Sequence, residues 1–366
     1  MLTKKRICTI THHTVPNYGA VLQTYALQKA IFNLGFNNEV LNYESDRVNR
    51  KYITKINKIK SGKQLIKYIV FPKEKLRAKK IRKFVDKYVK VSDIKYKREN
   101  LKDANNKYDL FITGSDQVWN LNIHEGDTSY MLDFVTDLKK KGSYAASFGY
   151  INVPDIYIDI TKKNLQSFKF YNVREVQGKE ILKNLIGKES NLVLDPTLLL
   201  KSDDYEKIMG EINIKKPYIL VYNLTQSLTM IKFAKELAYS TGYKIVCINT
   251  SHKNVKGCIN INDASPEEFL TYIRNAEYVV TSSFHGIIFS LIFNKQFFYE
   301  LNSKKNNNNS RLVNLGKLFD IENREIKRNK RLNEYIDINY SKINNIIIKE
   351  QKKSLNILKN MINQED

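Results

Sequence analysis

Short apolar runs alternate along this chain with longer stretches whose apolar positions recur at helical spacing. The pattern is clearest near the start, where RICTI (residues 6–10) is typical of a buried strand. AVLQTYALQKAIFNLG (residues 20–35) follows with the i, i+3, i+4, i+7 spacing of a helix face and ends at a glycine. NEVLNY (residues 38–43) then predicts a second strand. Together the three segments predict a βαβ unit.

The same alternation continues to the end of the chain and predicts an α/β protein. In the first half, further strands are predicted within YDLFITGSD, GSYAASFG and FYNVRE, at residues 108–116, 142–149 and 170–175. In the second half, four strands are predicted near residues 218–222, 244–248, 277–281 and 296–299, with helices near 228–241, 266–275 and 286–294.

This organisation predicts two Rossmann-like domains that face each other across a cleft. We assign residues 1–175 to the N-terminal domain, with a basic helical insertion at residues 46–107. Residues 176–335 form the C-terminal domain, and residues 336–366 a C-terminal helix. Ligands of open parallel sheets bind at the carboxyl ends of the strands, so the loops after each strand are where functional residues are expected.

The segment TSSFHG (residues 281–286) places a histidine directly after an apolar strand. Backbone amides at the start of the following helix favour an anion, and Ser282 and Ser283 add hydroxyl donors. Gly286 would allow close approach of the backbone to a ligand. His285 could then bind an anion as imidazolium or donate a proton. The alternative is a core histidine that is hydrogen-bonded to the backbone.

Arg174 follows another predicted strand, in NVREVQG. A guanidinium binds carboxylate or phosphate with two parallel hydrogen bonds, and Glu175 could orient it. An ordinary surface salt bridge between these two neighbours is the alternative interpretation.

The segment HHTVPNYGAVLQ (residues 12–23) precedes a helix. His12 or His13 could serve as a base there, and the turn containing Asn17 and Gly19 could receive a polar substrate. A purely structural turn is equally compatible with these residues. The segment has no GxGxxG and is therefore not a dinucleotide-binding fingerprint.

Asp116 and the only tryptophan, Trp119, lie in TGSDQVWN, after the strand predicted within residues 108–116. A carboxylate beside an exposed aromatic ring suits a sugar, which needs hydrogen-bond acceptors and a stacking surface. Trp119 could instead be a core residue. In LDPTLLL, Asp195 is a possible hydroxyl ligand, although this segment has the character of a structural turn.

The charge of the chain is uneven. The formal net charge is +23, and residues 46–107 contribute +16 through 22 Lys and Arg against 6 Asp and Glu. This stretch has no zinc-finger spacing, so no nucleic-acid partner is expected. A basic face could contact anionic lipid headgroups, or the bias could be compositional, since Lys, Asn and Ile are abundant throughout. No apolar run reaches the roughly 20 residues of a membrane span, and no signal peptide is evident, which predicts a cytoplasmic protein.

Known catalytic and metal-binding signatures are missing from the sequence. The chain contains no HxxxH, HExxH or cysteine cluster with zinc spacing, and neither a GxSxG nor a P-loop. No metal site is therefore predicted.

Several strings together resemble the polysaccharide pyruvyl transferase family. They occur in the family's order and cover roughly residues 5–320: NYGAVLQTYALQ, DLFITGSDQVWN, YAASFG, NVRE, LDPTLLL, SPEEFL, NAEYVVTSSFHG and NKQFFY. The resemblance implies a GT-B-like fold. It also implies transfer of the pyruvyl group of phosphoenolpyruvate to two sugar hydroxyls as a cyclic ketal. Phosphoenolpyruvate would be a co-substrate, and no other cofactor is expected.

The resemblance also implies roles for individual residues. The histidine of the family's HG motif falls on His285, and the arginine of its VRE-type motif on Arg174. Lys304, Lys305 and Arg311 could complete the donor site. Some relatives have Arg-Leu-His where this chain has Ser-Phe-His at residues 283–285, and Arg311 could replace the missing arginine.

The acceptor implied is a free or lipid-linked glycan in surface-polysaccharide or cell-wall assembly, which would place the protein at the inner face of the membrane. Two other functions remain open from the sequence. One is a GT-B-type glycosyltransferase that uses a nucleotide sugar, and the other is a non-catalytic protein that binds glycans or membranes.

Overall fold

The computed structural model of the chain describes residues 5–43, 45, 72–224, 227–249, 254–301, 309–327 and 329–364. The chain forms two compact units. The first comprises Met1–Thr54, Val85–Leu200 and Ile348–Asp366, and the second comprises Lys55–Phe84 and Lys201–Ile347.

The described strands are parallel to their neighbours and belong to three sheets. In chain order they are β1 Ile7–Ile10, β2 Asn38–Tyr43, β3 Val91–Tyr96, β4 Leu110–Thr113, β5 Lys141–Ser143, β6 Asn172–Val173, β7 Asn191–Leu192, β8 Tyr218–Asn223, β9 Lys244–Asn249, β10 Ile259–Ile261, β11 Tyr278–Thr281 and β12 Gln296–Tyr299.

The described α-helices are α1 Tyr18–Asn33, α2 Pro72–Tyr88, α3 Leu121–His124, α4 Ile158–Leu165, α5 Val176–Ile186, α6 Ser202–Glu206, α7 Leu228–Thr241, α8 Pro266–Asn275, α9 Phe284–Ile292, α10 Ser310–Phe319 and α11 Tyr340–Asn363. Short 3₁₀ helices occur at Leu101–Asn106, Ser129–Met131, Leu138–Lys140, Asp155–Tyr157, Pro196–Leu199, Glu322–Arg324 and Leu332–Glu334.

The first unit contains a five-stranded sheet in the order β3-β2-β1-β4-β5. Every residue of β1 and β4 is buried, as expected for central parallel strands that are covered on both faces. β1 pairs with β2 on one side and with β4 on the other, since Ile7 lies opposite both Asn38 and Leu110. The order of the strands in the sheet therefore changes direction between β1 and β4. The loops after β1 and β4 therefore flank the point where Rossmann-type sheets bind ligands. β6 and β7 pair separately.

The second unit repeats this topology in the order β10-β9-β8-β11-β12. Its switch point lies between β8 and β11, where Ile219 is opposite Tyr278. The four strands predicted here are present, and β10 is an additional one. β10 has only three residues, Ile-Asn-Ile, which is too short for a period-two pattern to be recognised.

The basic stretch at residues 46–107 is not one helical insertion. Residues 46–71 lie outside the described part of the chain, and residues 72–88 form the helix α2 as predicted. Beyond it, β3 pairs with β2 as a strand of the first sheet. β3 has no alternation of polar and apolar residues that would predict a strand, since Ser92 is buried and Ile94 is exposed.

The first unit also extends past residue 175, the predicted domain boundary, to Leu200. Two contacts account for this difference. β7 pairs with β6, and the backbone amide of Leu194 donates a 3.0 Å hydrogen bond to Ser354 Oγ in α11. Along the described ranges, no helix combines the length and apolarity needed to cross a bilayer.

Candidate functional site

The turn between β11 and α9 in the second unit is built from a chain of side-chain caps. Ser283 precedes the first helical residue, and its Oγ accepts a 3.3 Å hydrogen bond from the amide of Gly286. Thr281 Oγ1 accepts a 3.0 Å hydrogen bond from the amide of Ser283. A Cβ on residue 286 would stand 2.5 Å from Thr281 Oγ1, so packing of the helix on the strand end requires glycine there.

This arrangement shows that Gly286 and Ser283 have structural roles, which were not predicted from the sequence. The amide of Gly286 is capped by Ser283, and the glycine is needed for close approach to Thr281 rather than to a ligand. The helix also begins two residues before Gly286, the start predicted from the sequence. Ser282 is partly exposed beside the cap.

His285 lies in the first turn of α9 and is 8% exposed. Its ring meets the ring of Phe284 edge to face, with 5.2 Å between the centroids. The guanidinium of Arg311, from the first turn of α10, lies 5.7 Å from the centroid of the Phe284 ring. The structure thus brings Arg311 to the residue that precedes His285. Lys304 and Lys305 lie outside the described residues.

A second arginine lies at the strand ends of this unit. Arg77 of α2 is buried, and its Nη1 donates hydrogen bonds to the carbonyls of Asn249, at 3.1 Å, and Asn262, at 3.3 Å. These carbonyls mark the carboxyl ends of β9 and β10. Burial raises the pKa of the Tyr222 hydroxyl at the end of β8, and the charge of Arg77 partly opposes this shift.

In the first unit, Arg174 forms a buried ion pair. Its Nη1 lies 2.9 Å from Asp195 Oδ2, and the two side chains are 2% and 0% exposed. The same Nη1 donates a 3.2 Å hydrogen bond to Ser115 Oγ, which in turn donates to Asp195 Oδ2 at 2.9 Å. Asp195 Oδ1 accepts hydrogen bonds from the amide and hydroxyl of Thr197. One arginine therefore joins the loops that follow β4, β6 and β7.

Negative charge predominates around Arg174. Its Nε lies 3.6 Å from Glu175 Oε2. Burial disfavours the charged guanidinium, but the carboxylates of Asp195, Glu175 and Asp116 outweigh this effect and raise its pKa. Glu175 therefore contacts Arg174 as predicted, but within the protein and not at its surface.

Two histidines and an aspartate meet at the switch point of the same sheet. His12 follows β1, and its Nδ1 lies 3.5 Å from Asp116 Oδ2, in the loop after β4. Its Nε2 lies 3.2 Å from Nε2 of the buried His124. The ring of Tyr130 packs against both imidazoles, with centroid distances of 5.2 and 4.5 Å. Asp116 has a φ of 81°, a left-handed conformation that is uncommon for residues other than glycine.

The remaining predicted acceptor residues have local structural contacts. Asn17 is the N-cap of α1 and accepts a 3.3 Å hydrogen bond from the amide of Ala20. Gly19 is buried in the first turn of that helix. His13 is buried, with Nδ1 at 3.2 Å from the carbonyl of Thr11.

The prediction that Trp119 stacks against a sugar is wrong for this structure. The side chain is 0% exposed and packs against the rings of Phe148 and Phe168, at centroid distances of 5.0 and 5.7 Å. It belongs to the hydrophobic core of the first unit, together with its neighbours Val118 and Leu121.

His124 and Arg77 are not among the site residues that were predicted from the sequence. Arg77 had a usable signal, since it stands four and seven residues before the buried Ile81 and Phe84 and so shares their helix face. His124 had only a weak one, its place in a short helix after the TGSD loop. Its proximity to His12 depends on the pairing of β1 with β4.

Comparison with known families decides the relationship that the motifs suggested. The sequence model of the family described as polysaccharide pyruvyl transferase matches residues 17–304, most of the chain. The chain belongs to this family. The match includes the strand ends carrying Asp116, Arg174 and His285, so the pyruvyl transferase resemblance is confirmed over both units.

Solved structures confirm the GT-B-like fold class of this pyruvyl transferase family member. A protein assigned as a UDP-N-acetylglucosamine 2-epimerase from Listeria monocytogenes has a TM-score of 0.50 and 10% identity, over 98% of this chain and 91% of its own. An α-glucosyltransferase in complex with UDP and DNA has a TM-score of 0.50 and 8% identity, over 97% and 100%. At these identities the likeness concerns the fold alone. No curated protein sequence matches the chain.

The ion pair leads to a prediction about stability. Replacing Asp195 by alanine should lower the free energy of unfolding by about 3–5 kcal/mol, because the closest counter-charge of a buried guanidinium is lost. Chemical denaturation followed by circular dichroism measures this change. Asp109→Ala, which breaks the exposed Arg6–Asp109 pair in the same unit, is the matched control and should cost far less. Equal losses in the two variants would contradict the importance of the buried pair.

The buried His124 leads to a prediction about pH. Burial, together with the neighbouring His12, lowers the pKa of His124 to about 3 from an ordinary value of 6.5. Below that ordinary value the unfolded chain binds a proton that the folded chain does not, so stability falls as pH decreases. We expect His124→Gln to reduce this fall between about pH 7 and 5, where one proton contributes up to about 1.4 kcal/mol per pH unit. Chemical denaturation at several pH values measures this dependence. If the free energy of unfolding varied equally with pH in the unmodified protein and in His124→Gln, the lowered pKa of His124 would be contradicted.

Proposed function

We propose that this protein transfers the pyruvyl group of phosphoenolpyruvate to two hydroxyls of a glycan sugar, forming a cyclic ketal and releasing phosphate. Family membership supports the transferase class. The observation that carries the proposal is the position of His285, in the first turn of α9 next to the Arg311–Phe284 contact. Phosphoenolpyruvate is the donor of the proposed reaction, and no further cofactor enters it.

The donor is an anion with a phosphate and a carboxylate, so it needs positive charge near the proton donor. Arg311 meets this need in the second unit, because its guanidinium packs on the residue adjacent to His285. Relatives with arginine in place of Ser283 would carry that charge on the motif itself. We propose that Arg311 replaces that arginine in this chain. Lys305 is a further candidate for binding the donor, on the basis of the sequence.

We assign Arg174 a positioning role instead of the donor clamp that the motif suggested. Its Nη1 is engaged by Asp195 and Ser115, and its side chain is only 2% exposed. Of the carboxylates around it, that of Asp116 is partly exposed, and a carboxylate accepts hydrogen bonds from sugar hydroxyls. We therefore propose that the glycan acceptor, free or lipid-linked, is bound through the carboxylate of Asp116.

The proposed chemistry balances in protons. His285 donates a proton to the methylene carbon of phosphoenolpyruvate, which makes the neighbouring carbon electrophilic. One sugar hydroxyl attacks that carbon and loses its proton. The carbon–oxygen bond to phosphate then breaks, and the second hydroxyl attacks in its place. The two sugar hydroxyls together release two protons. One proton is needed to convert the methylene group into a methyl group, and the other is carried away by the released hydrogen phosphate.

The catalytic prediction separates proton donation from donor binding. His285→Ala should lower kcat by roughly 10²–10⁴ because the general acid is removed. Arg311→Met should mainly raise KM for phosphoenolpyruvate, whereas Arg311→Lys should recover part of the affinity. Phosphate release, measured with a panel of p-nitrophenyl hexosides as acceptors, reports both effects. In D₂O, the ketal methyl group should carry one deuterium.

Other outcomes of this assay favour the other functions. Nucleotide release from a sugar nucleotide, with no phosphate release from phosphoenolpyruvate, would replace the proposal by a glycosyltransferase. Full activity of His285→Ala would remove the assigned acid. Glycan binding without turnover of either donor would indicate a non-catalytic protein.

We also propose that α2 contacts the inner surface of the membrane, where a lipid-linked acceptor would be held. Its exposed residues include a basic stripe formed by Lys75, Lys79, Arg82 and Lys83, which we call the α2 stripe. Their spacing places them along one side of the helix. Anionic headgroups attract such a surface by about 1 kcal/mol per basic residue.

Reversal of the α2 stripe to glutamates should weaken binding to phosphatidylserine-containing vesicles on the order of 10²-fold or more. Sedimentation with phosphatidylcholine vesicles, with and without phosphatidylserine, measures the change. The matched control reverses the same number of exposed lysines elsewhere, namely Lys162, Lys163, Lys352 and Lys353. Equal weakening by the two sets would indicate an effect of net charge and contradict the assignment to α2.

A further inference from the structure

The cluster of Asp116, His12 and His124 has features that packing alone does not require. It lies at the switch point of the first sheet, where the loops after β1 and β4 meet. The side chain of Asp116 is 17% exposed, whereas His12 and His124 are buried behind it. One partly open carboxylate is thus supported by two inner imidazoles.

The contacts determine where the protons lie. His124 Nε2 is 3.3 Å from the carbonyl of Gln117, which can only accept, so this nitrogen carries the hydrogen. The same hydrogen faces His12 Nε2 at 3.2 Å, so His12 accepts there. His12 is then protonated on Nδ1, the nitrogen that lies 3.5 Å from Asp116 Oδ2. The two nitrogens assigned a hydrogen are therefore His124 Nε2 and His12 Nδ1.

Burial determines the protonation of His124 at neutral pH. His124 is uncharged there because burial and the nearby His12 lower its pKa, while Asp127 and Asp116 act in the opposite direction. Tyr130 packs against both imidazoles. Arg174 is close enough to Asp116 for their charges to interact.

We propose that Asp116 is the general base that takes the proton of the attacking sugar hydroxyl, and that His12 and His124 are positioning residues behind it. This inference rests on the proposed function. As the hydroxyl oxygen forms its bond to the electrophilic carbon, the hydroxyl proton moves to the Asp116 carboxylate, and His12 keeps its own proton. A carboxylate suffices for this step, because attack on an oxocarbenium-like centre needs only a weak base, as in glycoside hydrolysis.

The backbone of Asp116 makes a clean test possible. Its φ of 81° is tolerated by asparagine almost as well as by aspartate, so Asp116→Asn removes the base without adding strain. Asn retains an oxygen that can accept the 2.8 Å hydrogen bond which the amide of Gln117 donates to Asp116 Oδ1. Asp109→Asn is the matched control, because Asp109 precedes β4, the strand that Asp116 follows.

We expect Asp116→Asn to lower kcat by roughly 10²–10⁴ and to leave KM for phosphoenolpyruvate unchanged, with phosphate release and the hexoside panel as the assay. The acidic limb of the kcat–pH profile should disappear with it. His12→Gln and His124→Gln should lower kcat less and shift that limb without abolishing it. If the unmodified protein is active and Asp116→Asn has the same kcat, the assignment of Asp116 as the general base is overturned. Absence of phosphate release by the unmodified protein would instead contradict the proposed function.

A measurement without substrate tests the positioning residues. The chain has only five histidines, so ¹⁵N NMR of histidine-labelled protein can assign His12 and His124 by their loss in the two glutamine variants. The contacts predict His12 protonated on Nδ1 and His124 on Nε2. In Asp116→Asn, the Nδ1 resonance of His12 should shift. The opposite tautomers, or an unmoved resonance, would overturn the arrangement whatever the activity.

Discussion

A buried guanidinium must be neutralised where it lies, and in the first unit this requirement fixes the positions of three loops. Arg174 meets it through Asp195 at 2.9 Å, with Ser115 bridging the two. Because an isolated charge inside a protein is costly, the loops that supply these partners are held close to Arg174. Ser115 immediately precedes Asp116, so the ion pair also fixes where the proposed base stands.

Charged side chains lie at the strand ends of each unit. In the first, the carboxylates of Asp116, Glu175 and Asp195 surround one arginine. In the second, Arg77 lies at the ends of β9 and β10, and Arg311 packs beside the His285 motif. Carboxylates suit hydroxyls, and guanidiniums suit phosphate and carboxylate. Within each unit, these groups suit one class of ligand, namely hydroxyls at Asp116 in the first and a small anion at Arg311 in the second.

Much of the fold could be predicted from the sequence because parallel strands with continuous apolar runs and helices with capping signals have strong local patterns. Ser265 and Glu268 illustrate this, since the predicted start of α8 is present as a capping box. β10 and β3 were harder, because one is very short and the other is rich in charge. Their identity as strands depends on the neighbours that they pair with.

The candidate site was predictable only in part, for a related reason. The strand-end position of His285 follows from local pattern. Whether a side chain at a strand end faces solvent or the core depends on packing across loops that are distant in sequence. Trp119 and Arg174 show this, as one is a core residue and the other a buried ion-pair partner. The contact of His12 with His124 joins residues 112 positions apart, and no local signal could reveal it.

Direct binding of the donor is the most immediate test of the central claim that a positively charged strand end in the second unit holds phosphoenolpyruvate. Isothermal titration of the purified chain with phosphoenolpyruvate and, separately, with UDP-sugars makes the comparison. The account predicts saturable binding of phosphoenolpyruvate that weakens in Arg311→Met. Saturable binding of a UDP-sugar together with no heat from phosphoenolpyruvate would contradict it.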